Sequence, residues 1–334
     1  MITARRLRFI TLAVASLPAF AAAGEIKFDF PLRCQPGETC FIQNYVDHDS
    51  SAGVRDYECG RRSYDGHDGT DIRLLDLKAK RDGVAVLTAA DGIVVATRDG
   101  MDEVSIRTTG RAAVAGKECG NGAVIDHQGG WQTQYCHLAK GSVRIKTGDR
   151  LDTGDVIGLV GLSGATEFPH LHFTVRHLGK IVDPFAYGAL ADVCGSGQSL
   201  WKETTREQIG YRPREILNLG VSGDPPTMEL IESGETGPLQ ASTESSAIVA
   251  YVRVIGLQQG DQESLSLYGP DGNAIVEHRP QPLARDQAQH LLYAGRKRQE
   301  SSWPAGRYRI SYSVTRDGAA LLGKSAEIEL TSNK

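Results

Sequence analysis

From Gly83 to about Gly188 the chain is a succession of short apolar runs cut by glycine: "GVAVLTAADGIVVATRDG", "NGAVIDHQGGWQTQYCHL", "IKTGDRLDTGDVIGLVG" and "HLHFTVRHLGKIVDP". Runs of four to eight residues rich in Val and Ile, bounded by Asp-Gly, Gly-Gly and Thr-Gly-Asp turns, predict an all-β, antiparallel, barrel-like or sandwiched sheet domain over residues 61–190. No helical period stands out within it. Residues 24–60 form a Cys-containing, loop-like lead-in. After Cys194 the texture changes: residues 191–217 read as a polar connector, with one short helical piece at "TREQIG". Beyond it "AIVAYVRVIGL", "ESLSLYGPDG" and "GRYRISYSV" recur at sandwich-like spacing. In the last of these Tyr308, Ile310, Tyr312 and Val314 alternate with Arg and Ser, so one face is buried and one is wet. A second, C-terminal β-sandwich is expected over residues 218–334, as a binding or spacer module.

Composition narrows the class. With 334 residues, 40% of them hydrophobic and 23% charged, the chain is neither disordered nor fibrous and can bury at least one sizeable core. The net charge of −4 is spread without a basic stripe, and Arg296-Lys297-Arg298 reads as a solvated turn, so nucleic acid is not the expected partner. The first residues, "MITARRLRFITLAVASLPAFAAAG", place arginines before an apolar stretch and small residues after it. That order predicts a signal peptide over residues 1–23 and a periplasmic or secreted protein. The apolar stretch is short of the ~20 residues a bilayer needs, and nothing later approaches that length, so no transmembrane segment is expected after cleavage.

Six cysteines, at 34, 40, 59, 119, 136 and 194, suit an exported protein with disulfides, and no C-x-x-C pair argues for a metal-thiolate site. Cys119 and Cys136 flank a hairpin turning at "QGG", which sets them across from each other near its open end. Six cysteines leave the connectivity open among fifteen arrangements; with Cys119–Cys136 argued, Cys34 with Cys40 and Cys59 with Cys194 would complete the set.

Four histidines carry candidate chemistry: His67 in "YDGHDGTDIRL", His137 in "QYCHLAKG", and His170 and His172 in "FPHLHFTVR". Period two puts His170 and His172 on one strand face, with Leu171 and Phe173 on the other. His67 and Asp71 lie four apart, roughly 13 Å on a straight strand, yet ligands of one tetrahedral ion must approach within ~4 Å. Gly66 and Gly69 allow the chain to bend between them. Two imidazoles and a carboxylate suit zinc, and three protein ligands leave a fourth position open. Strand geometry leaves open which of His170 and His172 is the ligand.

"GHDGTD", "QYCHL" and "PHLHFTV", in that order and followed by "GKIVDPFAYG", resemble the His-x-x-x-Asp, Tyr-x-His-Leu and His-Leu-His motifs of the M23 family of zinc metallopeptidases, the lysostaphin-like or LytM-domain peptidoglycan endopeptidases. The resemblance covers residues ~60 to ~188. It implies a small antiparallel β domain with a groove, of the duplicated-hybrid-motif kind, and one Zn²⁺ per chain held by His67, Asp71 and His172. It further implies that His137 and His170 line the site as unligated catalytic histidines, and that the substrate is the peptide of bacterial cell-wall peptidoglycan. Tyr135, two residues before His137, is expected on the same face and within reach of an oxyanion. The family often has Glu where this chain has Thr174, which puts the support of His172 in question.

Other chemistries fit less well. Cys136 beside His137 suggests a thiol nucleophile, but strand neighbours face opposite ways and an exported cysteine is oxidised. "GLSGA" around Ser163 lacks the last glycine of a nucleophile elbow and reads as a turn. His48, His127 and His177 match no motif and are expected to be structural. The alternative of another class is a non-catalytic LytM-type protein that binds the wall or activates an amidase; loss of ligands would mark it, and all five motif positions are filled.

Overall fold

The computed structural model describes residues 26–235 and 237–331; the expected signal segment lies outside them. The first half of the chain contains β1 (Cys40–Asn44), β2 (Thr70–Leu74), β3 (Ala85–Leu87), β4 (Gly92–Arg98), β5 (Asn121–His127), β6 (Trp131–Leu138), β7 (Arg150–Leu151), β8 (Val156–Leu159), β9 (His170–His177) and β10 (Lys180–Val182). Eight of these form one antiparallel sheet in the order β1-β2-β9-β6-β5-β4-β7, with β10 paired to β9, while β3 and β8 pair separately. The all-β groove architecture expected from the sequence is therefore present.

Alternation decides which way each strand faces. In β9 Leu171 and Phe173 are 0% and Val175 1% exposed, and each such side chain contributes roughly 1.5–3 kcal/mol by leaving water. His170, His172 and Thr174 consequently project from the opposite face. In β6 the inward residues are Trp131, Thr133 and Tyr135. The β5–β6 hairpin turns at Gln128–Gly130, and the Cys119–Cys136, Cys34–Cys40 and Cys59–Cys194 disulfides are all formed.

Three features depart from the expected pattern. The lead-in is not merely loop: β1 is an edge strand of the main sheet, and Phe28, fully buried, packs edge-on against Trp131, Phe173 and Trp201. The connector contributes Leu200 and Trp201 to that same core before its short helix at Glu203–Gln208. Short helices also occur at Leu77–Asp82 and Ile106–Thr109. The first is started by Asp76, whose side chain accepts from the Ala79 amide at 2.8 Å, and is stopped at Gly83 with φ 86°. Six residues hold too few turns to register as a helical period.

The second half supplies β11 (Glu215–Ser222), β12 (Ala247–Leu257), β13 (Gln262–Tyr268), β14 (Ala274–His278), β15 (Gln287–Lys297), β16 (Gly306–Arg316) and β17 (Ala319–Leu330). They form a three-stranded sheet, β11-β12-β15, and a four-stranded sheet, β14-β13-β16-β17. Tyr308, Ile310 and Val314 are 0% exposed and Tyr312 1%, as the alternation in "GRYRISYSV" requires. Phe41 of β1, Leu217 and Ile255 make a small apolar cluster joining the halves. Around it Gln43 Nε2 donates to the Ala288 carbonyl at 3.1 Å and Arg73 Nη1 to Gln289 Oε1 at 2.6 Å. The Arg62 guanidinium donates to the carbonyls of Ile42 and Gln43 on β1 and lies beside Glu215. No helix among the described residues is long and apolar enough to cross a membrane.

Candidate metal centre and its histidines

The register of β2 against β9 builds the site: Asp71 stands opposite His172, and Arg73 opposite His170. The turn before β2 brings His67 back over them. Gly66 sits at φ 73°, a conformation that favours glycine. Gly69 is required for a different reason, since a β-carbon there would lie 2.7 Å from His172 Nε2. The outcome is a triad: His67 Nε2 is 3.2 Å from Asp71 Oδ1 and 3.3 Å from His172 Nδ1, and His172 Nδ1 is 2.8 Å from Asp71 Oδ1. One ligand atom from each of the three lies within 4.8 Å of the others, a spacing suited to a single ion.

The outer contacts of each ring orient its ligand atom. His67 Nδ1 donates to the Tyr45 carbonyl at 2.6 Å, which leaves the lone pair on Nε2 facing the triad. His172 turns Nε2 towards Asp68 Oδ1 at 3.1 Å and Thr174 Oγ1 at 3.0 Å, leaving Nδ1 for the triad. Thr174 thus does share the face of His172 and touches it. Asp68 was not singled out from the sequence; its place between His67 and Gly69 is the only signal that could have found it. Tyr64, whose ring centroid is 4.3 Å from that of His67, and Thr166, 3.0 Å from His170 Nδ1, were likewise not foreseen.

The cluster is electrostatically tense. Burial pushes the Asp71 carboxyl up, but the charges of His67 and His170 and hydrogen bonds to His170 and His172 outweigh it and hold the group well below the usual carboxylate range. Burial lowers His172, yet its hydrogen bonds to Asp68 and Asp71 raise it to about 9. A buried carboxylate that favours a proton on the His172 imidazole is also what a divalent cation can satisfy in its place.

His137 and His170 complete the wall, with ring centroids 4.6 Å apart. His137 Nδ1 donates to the Ser163 carbonyl at 2.7 Å, so its Nε2 is the free nitrogen. Burial, followed by the charges of His170 and His172, holds His137 well below the ordinary histidine value and so neutral. His170 Nδ1 lies 2.9 Å from the Phe168 carbonyl, and its Nε2 3.4 Å from Asp71 Oδ1.

Tyr135 does not join them. Its side chain is fully buried, its ring packs against Phe173, and its hydroxyl accepts from the Ala89 amide at 2.9 Å and from Thr133 at 3.1 Å. The expectation that it shares a face with His137 fails because alternation breaks there. His137 has φ 65°, and the β5–β6 register slips between Asn121 and Ala123. The bulge turns His137 towards the groove while Tyr135 remains in the core.

The remaining expectations resolve simply. Cys136 is bonded to Cys119, so no thiol stands beside His137. Ser163 is a turn residue whose Oγ accepts from the Asn121 amide and donates to the Leu138 carbonyl. His48 binds Asp183, His127 binds Thr133 and the Asp91 carbonyl, and His177 stacks on Trp131 at 4.0 Å.

Residues 65–184 match the family model of peptidase family M23. The chain is 32% identical over 117 residues to the peptidoglycan DD-endopeptidase ShyA of Vibrio cholerae, covering 35% of this chain and 22% of that protein. It is 29% identical over 176 residues to the cell division protein DipM of Caulobacter vibrioides, covering 52% of this chain and again 22% of the relative. The matched stretches therefore span about a fifth of each relative's length. Among solved structures, a zinc-containing peptidase from Vibrio cholerae is 26% identical, covering 44% of this chain and 39% of its own, with a TM-score of 0.27. Residues 65–184 of this chain, with the histidine and aspartate motifs they carry, are a peptidase M23 domain.

Proposed function

We propose that the chain is a zinc-dependent endopeptidase that hydrolyses peptide bonds of cell-wall peptidoglycan outside the cytoplasm. The observation that carries this reading is the convergence of His67, Asp71 and His172 beside His137 and His170, two further histidines that complete the wall of the site. The donor set fits zinc: two imidazoles with their second nitrogens tied to a carbonyl or carboxylate, plus a buried carboxylate. His67, Asp71 and His172 would hold the ion, which would lower the pKa of a coordinated water towards ~7 and polarise the scissile carbonyl.

The chain's own groups handle the proton. His137, neutral and anchored through Nδ1, presents Nε2 as the base that accepts a proton from the attacking water. The water oxygen bonds to the carbonyl carbon, and the imidazolium returns its proton to the departing amine nitrogen as the C–N bond breaks. His170, whose Nδ1 contacts the Phe168 carbonyl and the Thr166 hydroxyl, donates from a protonated Nε2, which lies 3.4 Å from Asp71 Oδ1, to the developing oxyanion. With Tyr135 in the core, no tyrosine hydroxyl on β6 contributes. Three disulfides suit an oxidising compartment, and the relative named as a peptidoglycan DD-endopeptidase supports the choice of substrate.

The test is digestion of purified wall material by the full mature chain, with mass spectrometry of the released ends. New amino and carboxyl termini, lost on chelation and restored by zinc, are expected. An intact wall in the presence of stoichiometric bound zinc would leave the non-catalytic binder or amidase activator as the better reading.

A further inference from the structure

The peptidase reading assigns nothing to the C-terminal half, yet the short helix between β11 and β12 comes close to the site. A cleft of about 500 Å³ is lined from both halves of the chain. One wall is Leu75, Phe168 and Pro169 from the peptidase domain; the other is the helix Met228–Ser233, which presents Met228, Glu229 and Glu232. Beneath Phe168 lies Arg73, 1% exposed, its guanidinium carbon 4.6 Å from the ring centroid. The ring centroid of His170 is 4.7 Å from that of Phe168, so a single aromatic side chain separates the cleft from a histidine of the site.

The two walls are tied together. Arg107 donates to Glu167 Oε2 at 2.9 Å and to Glu232 Oε2 at 2.9 Å, joining the segment that leads into β9 to the helix. Glu232 Oε1 accepts from Gln289 Nε2 at 2.7 Å, and Gln289 Oε1 accepts from Arg73 Nη1 at 2.6 Å. The helix is therefore held at a set distance from the strand that carries His170 and His172. The charge of the lining is uneven: four carboxylates face two guanidiniums, which favours a cationic occupant. Arg107 is already shared by two acids, Asp76 caps the helix that follows it, and exposed Glu229 has no ion-pair partner among the described residues.

We propose that the C-terminal half forms one wall of the substrate cleft, and that this cleft takes a primary-amine branch of the peptide substrate. The ammonium faces Glu229, and its aliphatic stem lies between Phe168 and Met228. The proposal rests on the peptidase reading for the nature of the substrate. In it the second module selects the bond to be cut and is more than an anchor or spacer.

The test uses a soluble cross-linked wall peptide with a free primary amine beside the scissile bond, and the same peptide acetylated on that amine. Binding is measured by calorimetry with the full chain in a His137→Ala background, so that it does not depend on turnover. The free-amine peptide should bind about three- to fivefold more tightly, the span of one exposed ion pair. Glu229→Gln should erase that ratio, and Glu229→Lys should reverse it, which a purely structural role of the helix would not do. An equal ratio in all three chains, or no binding of either peptide, overturns the proposal. If the ratio changes as expected while the unmodified His137 chain cuts no wall, the cleft stands and the peptidase reading falls. If the wall is cut with no regard to the amine or to Glu229, the peptidase reading stands and the cleft assignment falls.

Discussion

The double substitution Cys119→Ser/Cys136→Ser separates placement of the proposed base, His137, from metal binding. The bridge joins cysteines at a sequence separation of 17, and in the chain-entropy account such a closure stabilises by about 3 kcal/mol. For a cooperative unit of 150–250 residues that loss corresponds to a fall of about 6–12 °C in melting temperature. The local effect is more specific. His137 follows Cys136 directly, holds φ 65°, and its amide donates to the Cys119 carbonyl at 2.8 Å. Without the bridge that bulge has less reason to persist, and a displacement of the imidazole by about 1 Å costs on the order of 10²-fold in rate. His67 lies before β2 and Asp71 on it, away from the hairpin, while His172 stands opposite Cys136 but is held by Asp71, Asp68 and Thr174, so zinc content should remain near that of the parent. The assay is threefold: calorimetric melting, metal analysis after gel filtration, and release of wall fragments under identical conditions. Loss of zinc in proportion to activity would refute the reasoning, and so would a melting temperature unchanged in the double variant.

Three further outcomes are expected. His67→Ala or Asp71→Ala should each lower bound zinc well below one per chain by metal analysis, since each removes one of the three converging ligand atoms; full retention in both would remove the triad from the reading. His137→Ala should keep its zinc and lose hydrolysis by ~10²-fold or more, read as kcat on a soluble wall peptide. Wild-type turnover there would end its role as base. Tyr135→Phe should destabilise by about 1–3 kcal/mol in denaturant unfolding, because the buried Ala89 amide loses its acceptor, and should leave kcat unchanged. A large loss of kcat in that variant would return Tyr135 to the site.

Much of the site was legible because one face of β9 is buried. Leu171, Phe173 and Val175 alternate so regularly that His170 and His172 can only project together, and the turn before β2 announces itself through Gly66 and Gly69. Period two failed at Tyr135 for a reason local sequence does not contain. The bulge depends on Gly122, where a β-carbon would lie 2.2 Å from the Tyr135 carbonyl, and on the Ser163 carbonyl that accepts from His137. Both are facts of tertiary contact. Asp68 and Thr166 were passed over similarly, because a single acid or hydroxyl near a motif gains meaning only when a ring nitrogen is found beside it. Phe28 and Trp201 sit in stretches without periodicity, so nothing in their neighbours marks them as the closing pieces of a core assembled from both sides of the peptidase domain.

The hold of Arg62 on β1 has a consequence for how the sheet meets other polypeptides. An edge strand usually offers a row of unpaired carbonyls and amides that any extended chain can adopt as a template. Here the guanidinium takes the carbonyls of Ile42 and Gln43, while the strands of the second half cover Phe41 on the same strand. At the far edge β7 is only two residues long. Under the proposed function, with an extended peptide as substrate, there is a particular hazard: the scaffold itself can capture that peptide out of register. With one border occupied and the other too short to template pairing, the sheet that carries the histidines offers an extended chain no long open edge beside its groove.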